Sequence, residues 1–356
     1  MMTIKQIFFF TLLVGCISSC TKDTSEGPDL DLLYGDFSLT TPFNLDNETP
    51  DFSAGEVVGF QAEFTTIVDW KITITGEASG SIKEITGFSN HINPDTVIWN
   101  GNTTYIPFFQ SELCIAELSF PDFPDSLFID SLIIDSPRTY GEDGVIIADF
   151  ESGELPKGAI MTKESGSNMT FRISNQMDVA QDAPLEGDYY YKLGGTVNWN
   201  WSLGYIDIPI LLDASTTSDP SNFYINIGVL SDTEDLNTDQ FLNVLISESD
   251  NPFNDPPEGG ADIFGTNVEV YKTQIRPVDW DGWRFFAIPY DEFDIKNPNA
   301  PGVVNDPNPQ DIKGIRIACQ ACPSLNESES CPENENTIVR TDIDFVIFTE
   351  NEPLVN

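Results

Sequence analysis

An all-β protein of two successive sandwich domains is what this sequence predicts, on three observations. First, apolar and polar residues alternate over short runs. Val58, Phe60, Ala62 and Phe64 interleave with Gly59, Gln61 and Glu63, and Trp70, Ile72 and Ile74 with Lys71, Thr73 and Thr75. A period of two puts one set of side chains in a core and the other in water, as on a half-buried strand. Second, 25 Phe, 24 Pro and 25 Gly accompany a hydrophobic content of 40%, which fits aromatic strands broken by frequent turns. Third, no long stretch repeats its apolar residues at helical spacing. At 356 residues the chain is long for one small domain, so two are expected.

The formal charge of −42 comes from 16 Lys and Arg against 58 Asp and Glu. It excludes an extended nucleic-acid surface, which needs clustered cations, and disfavours polyanionic polysaccharides as ligands. The chain starts with a targeting segment: Lys5, then the apolar run Ile7–Val14, too short to span a bilayer. Two cysteines follow small residues, in LVGC ending at Cys16 and ISSC ending at Cys20. Both resemble the lipobox of bacterial lipoproteins. Ser18-Ser19 before Cys20 and Thr21-Lys22-Asp23 after it resemble surface lipoproteins of Gram-negative glycan-utilising bacteria. The resemblance implies a signal peptide over residues 1–19, lipidation at Cys20, and an outer-membrane location facing the cell exterior, with the lipid as the only membrane contact. Simple secretion is the alternative. Residues 20–33 are polar and acidic, with Gly27-Pro28, and read as a flexible tether.

The first domain is placed at residues 34–140. Gly76 closes the strand that carries Trp70; Ile98–Thr103 (IWNGNT) and Glu112–Phe120 (ELCIAELSF) follow. Ser119–Gly144 mixes Pro, Asp and Gly with short apolar runs and reads as a last strand and connector, with the boundary near Tyr140. WKITITG, then WNG, then a closing alternating strand resemble an immunoglobulin-like domain of the polycystic-kidney-disease type, over roughly residues 36–120. Such a domain is a spacer, with Trp70 and Trp99 in its core; Cys114, in an alternating run, reads as a buried free thiol.

The second domain, residues 141–350, precedes a short tail at 351–356. After Val145–Pro156, strands are expected at Met169–Ile173, Tyr189–Leu193, Trp199–Ile210, Phe223–Leu230, Phe241–Ser247, Val268–Thr273, Trp283–Pro289, Ile312–Ala318 and Thr341–Phe348. That count and spacing suit a two-sheet sandwich. ADFESG, GDYYYKLGG (Gly187–Gly195), WRFFAIPYDEF, DIKGIRI (Asp311–Ile317) and TDIDFVIF (Thr341–Phe348) occur in that order. The series resembles the galactose-binding-like jelly roll of carbohydrate-binding modules. Anchor, spacer and jelly roll together resemble the surface glycan-binding lipoproteins of polysaccharide-utilisation systems. The insertion 319–336 departs from that pattern.

Sugar rings stack their C–H faces on aromatic rings, and their hydroxyls pair with polar side chains. Trp280, between Asp279 and Asp281 in an acidic turn, is the leading candidate for an exposed ring, with support from Trp199, Trp201 and Tyr290. Trp199 and Trp201 share one face if extended. Trp283 opens an apolar strand and reads as core. Asp149 and Glu151 alternate around Phe150, and Asp342 and Asp344 around Ile343. In the jelly-roll family the first and last strands run side by side, which would gather these carboxylates as hard ligands for a structural calcium ion; a solvated acidic edge is the alternative. Cys319, Cys322 and Cys331 lack a fourth zinc ligand nearby, and His91 is the only histidine. In an exported chain they read as a loop disulfide, with Cys331 paired to Cys319 or Cys322. The functional expectation is a non-catalytic protein that captures a neutral polysaccharide of glucan or mannan type, or its oligosaccharides, and hands it to an outer-membrane glycan transporter complex. The alternatives are a jelly-roll glycoside hydrolase using paired carboxylates and a protein-binding adhesin or spacer.

Overall fold

The computed structural model describes residues 36–163, 168–197, 201–232, 239–249, 263–322 and 337–355, and over them the chain is all-β. The segment carrying Cys16 and Cys20, and Trp199 and Cys331, lie outside the described residues.

The first domain holds β1 (Leu39–Leu45), β2 (Val58–Gly76), β3 (Ile82–Ile92), β4 (Ile98–Trp99), β5 (Leu113–Ser119) and β6 (Leu127–Ile133). Its centre is β2, which pairs with β1, β3, β4 and β5, while β6 adds to β5. The alternation read in the sequence runs the length of β2: Val58, Phe60, Ala62, Phe64, Val68, Trp70, Ile72 and Ile74 are all buried. A register shift between Glu63 and Val68 divides β2 into a half that pairs with β4 and a half that pairs with β5. One strand thus lines the core from end to end. Trp70 and Trp99 lie in that core, as expected. Their indoles are satisfied, Trp70 Nε1 donating to Ser89 Oγ and Trp99 Nε1 to the Asn102 carbonyl. Gly87 is required beneath Trp70, since a Cβ there would stand 2.2 Å from Trp70 Cζ2. Cys114 is a fully buried free thiol, and burial pushes its pKa up to about 12.

The second domain begins with β7 (Gly144–Ala148), β8 (Ile160–Lys163), β9 (Asn168–Ile173), a one-turn helix α1 (Gln176–Val179), β10 (Tyr191–Val197) and β11 (Trp201–Pro209). It continues with β12 (Phe223–Ser231), β13 (Asp239–Ser247), β14 (Val270–Ile275), β15 (Gly282–Pro289) and β16 (Asp294–Ile295). The last strands are β17 (Gly314–Cys322), β18 (Thr337–Arg340) and β19 (Asp342–Glu350). Sheet I runs β15-β12-β19-β10-β18, with β7 on β19 and β9 on β10; sheet II runs β16-β14-β13-β17-β11-β8. β7 and β19 pair antiparallel, Ala148 opposite Val346, so the first and last strands are neighbours. β8 and β18 were not expected from the sequence. Expected strand Tyr189–Leu193 lies later, because Tyr189 and Tyr190 precede the ladder of β10.

Side chains from both sheets meet in one core, with Ile225, Ile227 and Val229 of β12 facing Val244, Ile315 and Ile317 of sheet II. Cys319 belongs to that core. It is a free buried thiol that accepts from Thr341 Oγ1, so it is removed from the expected disulfide. Its place in β17, alternating inward with Ile317 and Ala321, points it away from the loop. The backbone of Cys322 ends β17; its side chain lies outside the described residues.

The two domains meet across sheet I. Phe345 has a positive φ of 49°, and the register of β19 slips against both β12 and β7 there. This bulge breaks the alternation. Val346 and Phe348 turn into the inter-sheet core, while Phe345 and Ile347 join Phe108, Tyr140 and Leu185 in a separate buried cluster between the domains. Phe108 of the first domain packs among the rings of Tyr140, Phe285 and Phe345, and its N–H donates to the Leu185 carbonyl at 3.1 Å. Gly228 lets Leu185 approach, since a Cβ there would lie 2.2 Å from Leu185 Cδ2. The outer face of sheet I is therefore occupied at this junction, whereas a groove opens on the outer face of sheet II.

Candidate functional site

Strand alternation builds that groove. In β17, Ile315, Ile317, Cys319 and Ala321 point into the core, which leaves Arg316, Ala318 and Gln320 outside. In β13, Asn243 lies opposite to buried Leu242 and Val244; in β14, Lys272 and Gln274 alternate with Tyr271 and Ile275. In β11, Tyr205 and Asp207 alternate with Ile206 and Ile208. Apart from Asp207, this outward set lines a cavity of about 480 Å³ that includes Tyr205, Asn243, Lys272, Gln274, Arg316 and Gln320. From β14 to β11 the groove crosses three inter-strand steps, roughly 14 Å at about 4.8 Å each.

Two arrangements organise this lining. Arg316 lies 3.8 Å from the centroid of the Tyr205 ring and makes a bidentate pair with Asp207, Nε to Oδ1 at 2.6 Å and Nη2 to Oδ2 at 2.7 Å. That fork fixes the guanidinium against the ring and balances its charge. The amides form a chain across three strands: Gln274 Nε2 donates to Asn243 Oδ1 at 2.7 Å, and Asn243 Nδ2 donates to Gln320 Oε1. Gln274 Oε1 and Gln320 Nε2 stand at the ends of this chain, one an acceptor and one a donor. The described lining thus combines a half-buried ring with fixed donors and acceptors, and contains no carboxylate. It can hold a hydroxyl-rich ligand with an apolar face.

The rings expected to do this work are elsewhere. Trp280 is not exposed: it is 5% accessible and part of the inter-sheet core. The turn folds its indole back beneath β15, where the Phe286 ring lies 5.4 Å away and the Arg284 guanidinium 4.6 Å. Asp279 and Asp281 remain exposed on either side. Tyr290 is also corrected to core, fully buried among Phe223, Tyr271 and Phe293, with its hydroxyl donating to Glu248 Oε1 at 2.6 Å. Trp201 lies in β11 opposite Ala321; its side chain, like all of Trp199, is outside the described residues. Trp283 is half-buried at the domain junction and donates to the Ala183 carbonyl.

The four carboxylates expected to bind calcium separate into two environments. Asp342 Oδ2 accepts from Arg340 Nε at 2.9 Å, and its Oδ1 from the Leu193 N–H. Its charged neighbours are the cations Arg340 and Lys192, which would repel a metal ion. Asp344 Oδ2 accepts the Leu185 and Glu186 N–H groups, and Oδ1 that of Phe345. Glu151 accepts from the Asp188 and Tyr189 N–H groups at 2.7 and 2.9 Å. Phe150, at φ 62°, ends the extended run, so Asp149 and Glu151 do not alternate on a strand. These acids hold residues 185–193 by backbone donors, and among the described residues no three metal-ligating side chains form a metal-binding group. The quartet therefore does not gather as one group, Asp342 standing apart beside its cations. One consequence is a like-charged neighbourhood: burial first, then Glu151, Asp149 and Asp188, pushes the pKa of Glu186 up to about 8.

The residues that line the groove were missed by sequence reasoning, although a signal was present. Asn243, Gln274 and Gln320 are amides at outward positions of strands whose other face is apolar.

No family model matches the chain, and no curated protein matches it. Several solved structures are similar. One, described under the promiscuous specificity of carbohydrate-binding modules from the β-sandwich superfamily, is 13% identical with a TM-score of 0.35, covering 88% of this chain and 98% of that one. A family 11 carbohydrate-binding module from Clostridium thermocellum, in complex with a β-1,3-1,4-mixed-linked tetrasaccharide, is 12% identical with a TM-score of 0.35, covering 59% and 96%. SGBP-B from a complex xyloglucan utilisation locus in Bacteroides uniformis is 11% identical with a TM-score of 0.34, covering 88% and 73%. At these scores the likenesses are no basis for assigning a function to this chain.

Proposed function

We propose that this protein is a non-catalytic, lipid-anchored surface protein that captures a neutral polysaccharide or its oligosaccharides in the groove of sheet II and hands it to an outer-membrane glycan transporter. The observation that carries the reading is the lining itself: the Tyr205 ring held by Arg316, beside the amide chain Gln274–Asn243–Gln320. Asp207 neutralises Arg316, and the amides and the ring of the lining suit the hydroxyls and the apolar face of a sugar. A glucan or mannan fits that chemistry, and a span of roughly 14 Å accommodates a few sugar rings along a chain. Hydrolysis needs two carboxylates facing the bound sugar, and the described lining offers amides instead. The test is retardation of the protein in native gels cast with neutral glucans and mannans. If no neutral polymer retards it, or sulfated polymers retard it equally, the reading fails.

The adhesin reading has one observation in its favour. Leu127, Ile129 and Ile133 are exposed on the outward side of edge strand β6, a strip of apolar surface of the kind that contacts protein.

A further inference from the structure

A second cavity, of about 560 Å³, opens where the two domains meet. The first domain contributes Lys83, Asn100 and Asn102 to its lining, the connector contributes Arg138, and the end of β19 and the following tail contribute Glu350 and Leu354. The sheet II groove shares none of these residues.

Lys83 is the unusual member. Several other sheltered cations are paired: Lys192 with Asp178, Arg316 with Asp207, and Arg340 with Asp342. Arg138 in the cleft is taken too, its Nη2 held by both oxygens of Asp143 at 2.7 and 2.9 Å. Lys83 is half-buried, and among the described residues no carboxylate lies within ion-pair reach of its ammonium. Burial and the Arg138 charge together lower its pKa. A chain with 58 acids and 16 bases has thus left a sheltered ammonium facing a second cation. An unpaired, partly desolvated charge is unfavourable, and an anion beside it relieves that penalty. In the same lining, the Asn102 side-chain amide forms no hydrogen bond within the described protein, and the Asn100 side chain engages only its Oδ1, which accepts the Asn102 N–H at 3.3 Å. The lining also includes Glu142, Glu350 and Glu352. These acids can accept hydroxyl hydrogen bonds from a ligand in the cleft.

We infer that this interdomain cleft is a second ligand site, for a small hydroxylated monocarboxylate of the uronic-acid type, with the carboxylate on Lys83 Nζ and hydroxyls on the amides of Asn100 and Asn102. The ligand would touch both domains and stabilise the folded pair by mass action. The site is independent of the groove reading and stands or falls separately.

The test is titration of the mature full chain with glucuronate, followed by calorimetry and by Tm. Glucose, sulfate and phosphate serve as controls. The expected result is saturable binding of glucuronate and a rise in Tm, with glucose at least tenfold weaker. Lys83→Ala should weaken glucuronate binding at least tenfold, and Asn102→Ala should weaken it less. Tyr205→Ala should leave the response intact. If Lys83→Ala misfolds, Lys83→Met, which keeps the apolar stem, takes its place. Absence of a glucuronate response at tens of millimolar overturns the inference, as does an unchanged response in the Lys83 variants. A response to sulfate or phosphate alone, meaning an adventitious ion only, overturns it too.

Discussion

Truncating Tyr205 should separate binding from folding. Its ring is half-buried in the groove, and the Arg316 guanidinium lies 3.8 Å from its centroid. A sugar stacked on the ring should gain ~1–1.5 kcal/mol, by analogy with aromatic pairs. Tyr205→Ala should therefore weaken glycan binding about tenfold, since about 1.4 kcal/mol is one decade in Kd. The stability loss should be small. Arg316 forfeits its ring contact, worth ~0.5–1 kcal/mol at a partly exposed site, but keeps both hydrogen bonds to Asp207. Tyr205→Phe, which keeps the stacking face, should bind within a factor of about two to three of wild type. The assay is calorimetric titration with oligosaccharides of the retarding polymer, and Tm on the same samples. Undiminished affinity in a folded Tyr205→Ala protein would refute the assignment of the ring to the site.

Three further predictions follow from the burial pattern and one from the sequence. Trp280→Ala should destabilise the domain by ~3–5 kcal/mol, as for large aromatic truncations in cores, while protein that stays folded keeps its affinity; a stable variant that no longer binds would contradict its place in the core. Glu186 has a folded-state pKa raised to about 8, so its contribution to stability is fully present below the unfolded value near 4.5 and is lost as pH rises to about 8. Glu186→Gln should accordingly raise Tm at pH 8.5 and change it little at pH 5, and equal shifts at both would exclude titration as the cause. The hydrogen bonds that occupy Asp342 and Asp344 predict identical melting of metal-loaded protein with and without chelator; a chelator-sensitive Tm that Asp344→Ala abolishes would restore calcium. Cys20→Ala should abolish fatty-acid labelling and membrane association while Cys16→Ala preserves both, and labelled Cys20→Ala protein would move the anchor.

The sequence made the strands legible where one face is core and the other wet. The run from Val58 to Ile74 is buried at every even position, and Trp70, Trp99 and Cys114 are interior as anticipated. Side chains in turns were not legible. Trp280 lies between two acids, and nothing local says whether its indole points to water or back under β15. The functional face was hidden for a related reason. Both sheets of the second domain carry apolar and polar alternation, and only the docking of Phe108 on Phe285 and Phe345 shows which outer face is covered. The bulge at Phe345, which turns Ile347 outward beside Asn226 and Thr349, has no short-range signature in TDIDFVIF. The carboxylates of that run stand out in the sequence, but the Leu185 and Leu193 N–H groups that they accept lie 159 and 149 positions away along the chain.

The central claim is that glycan binds on the outer face of sheet II. Affinity electrophoresis against a panel of neutral polysaccharides, run with wild type and with Tyr205→Ala/Gln320→Ala, tests it most directly. At least one glucan or mannan should retard the wild type and leave the double variant, shown by its Tm to be folded, unretarded. Retardation that survives in the double variant would contradict the claim, and so would a wild-type protein that no neutral polymer retards.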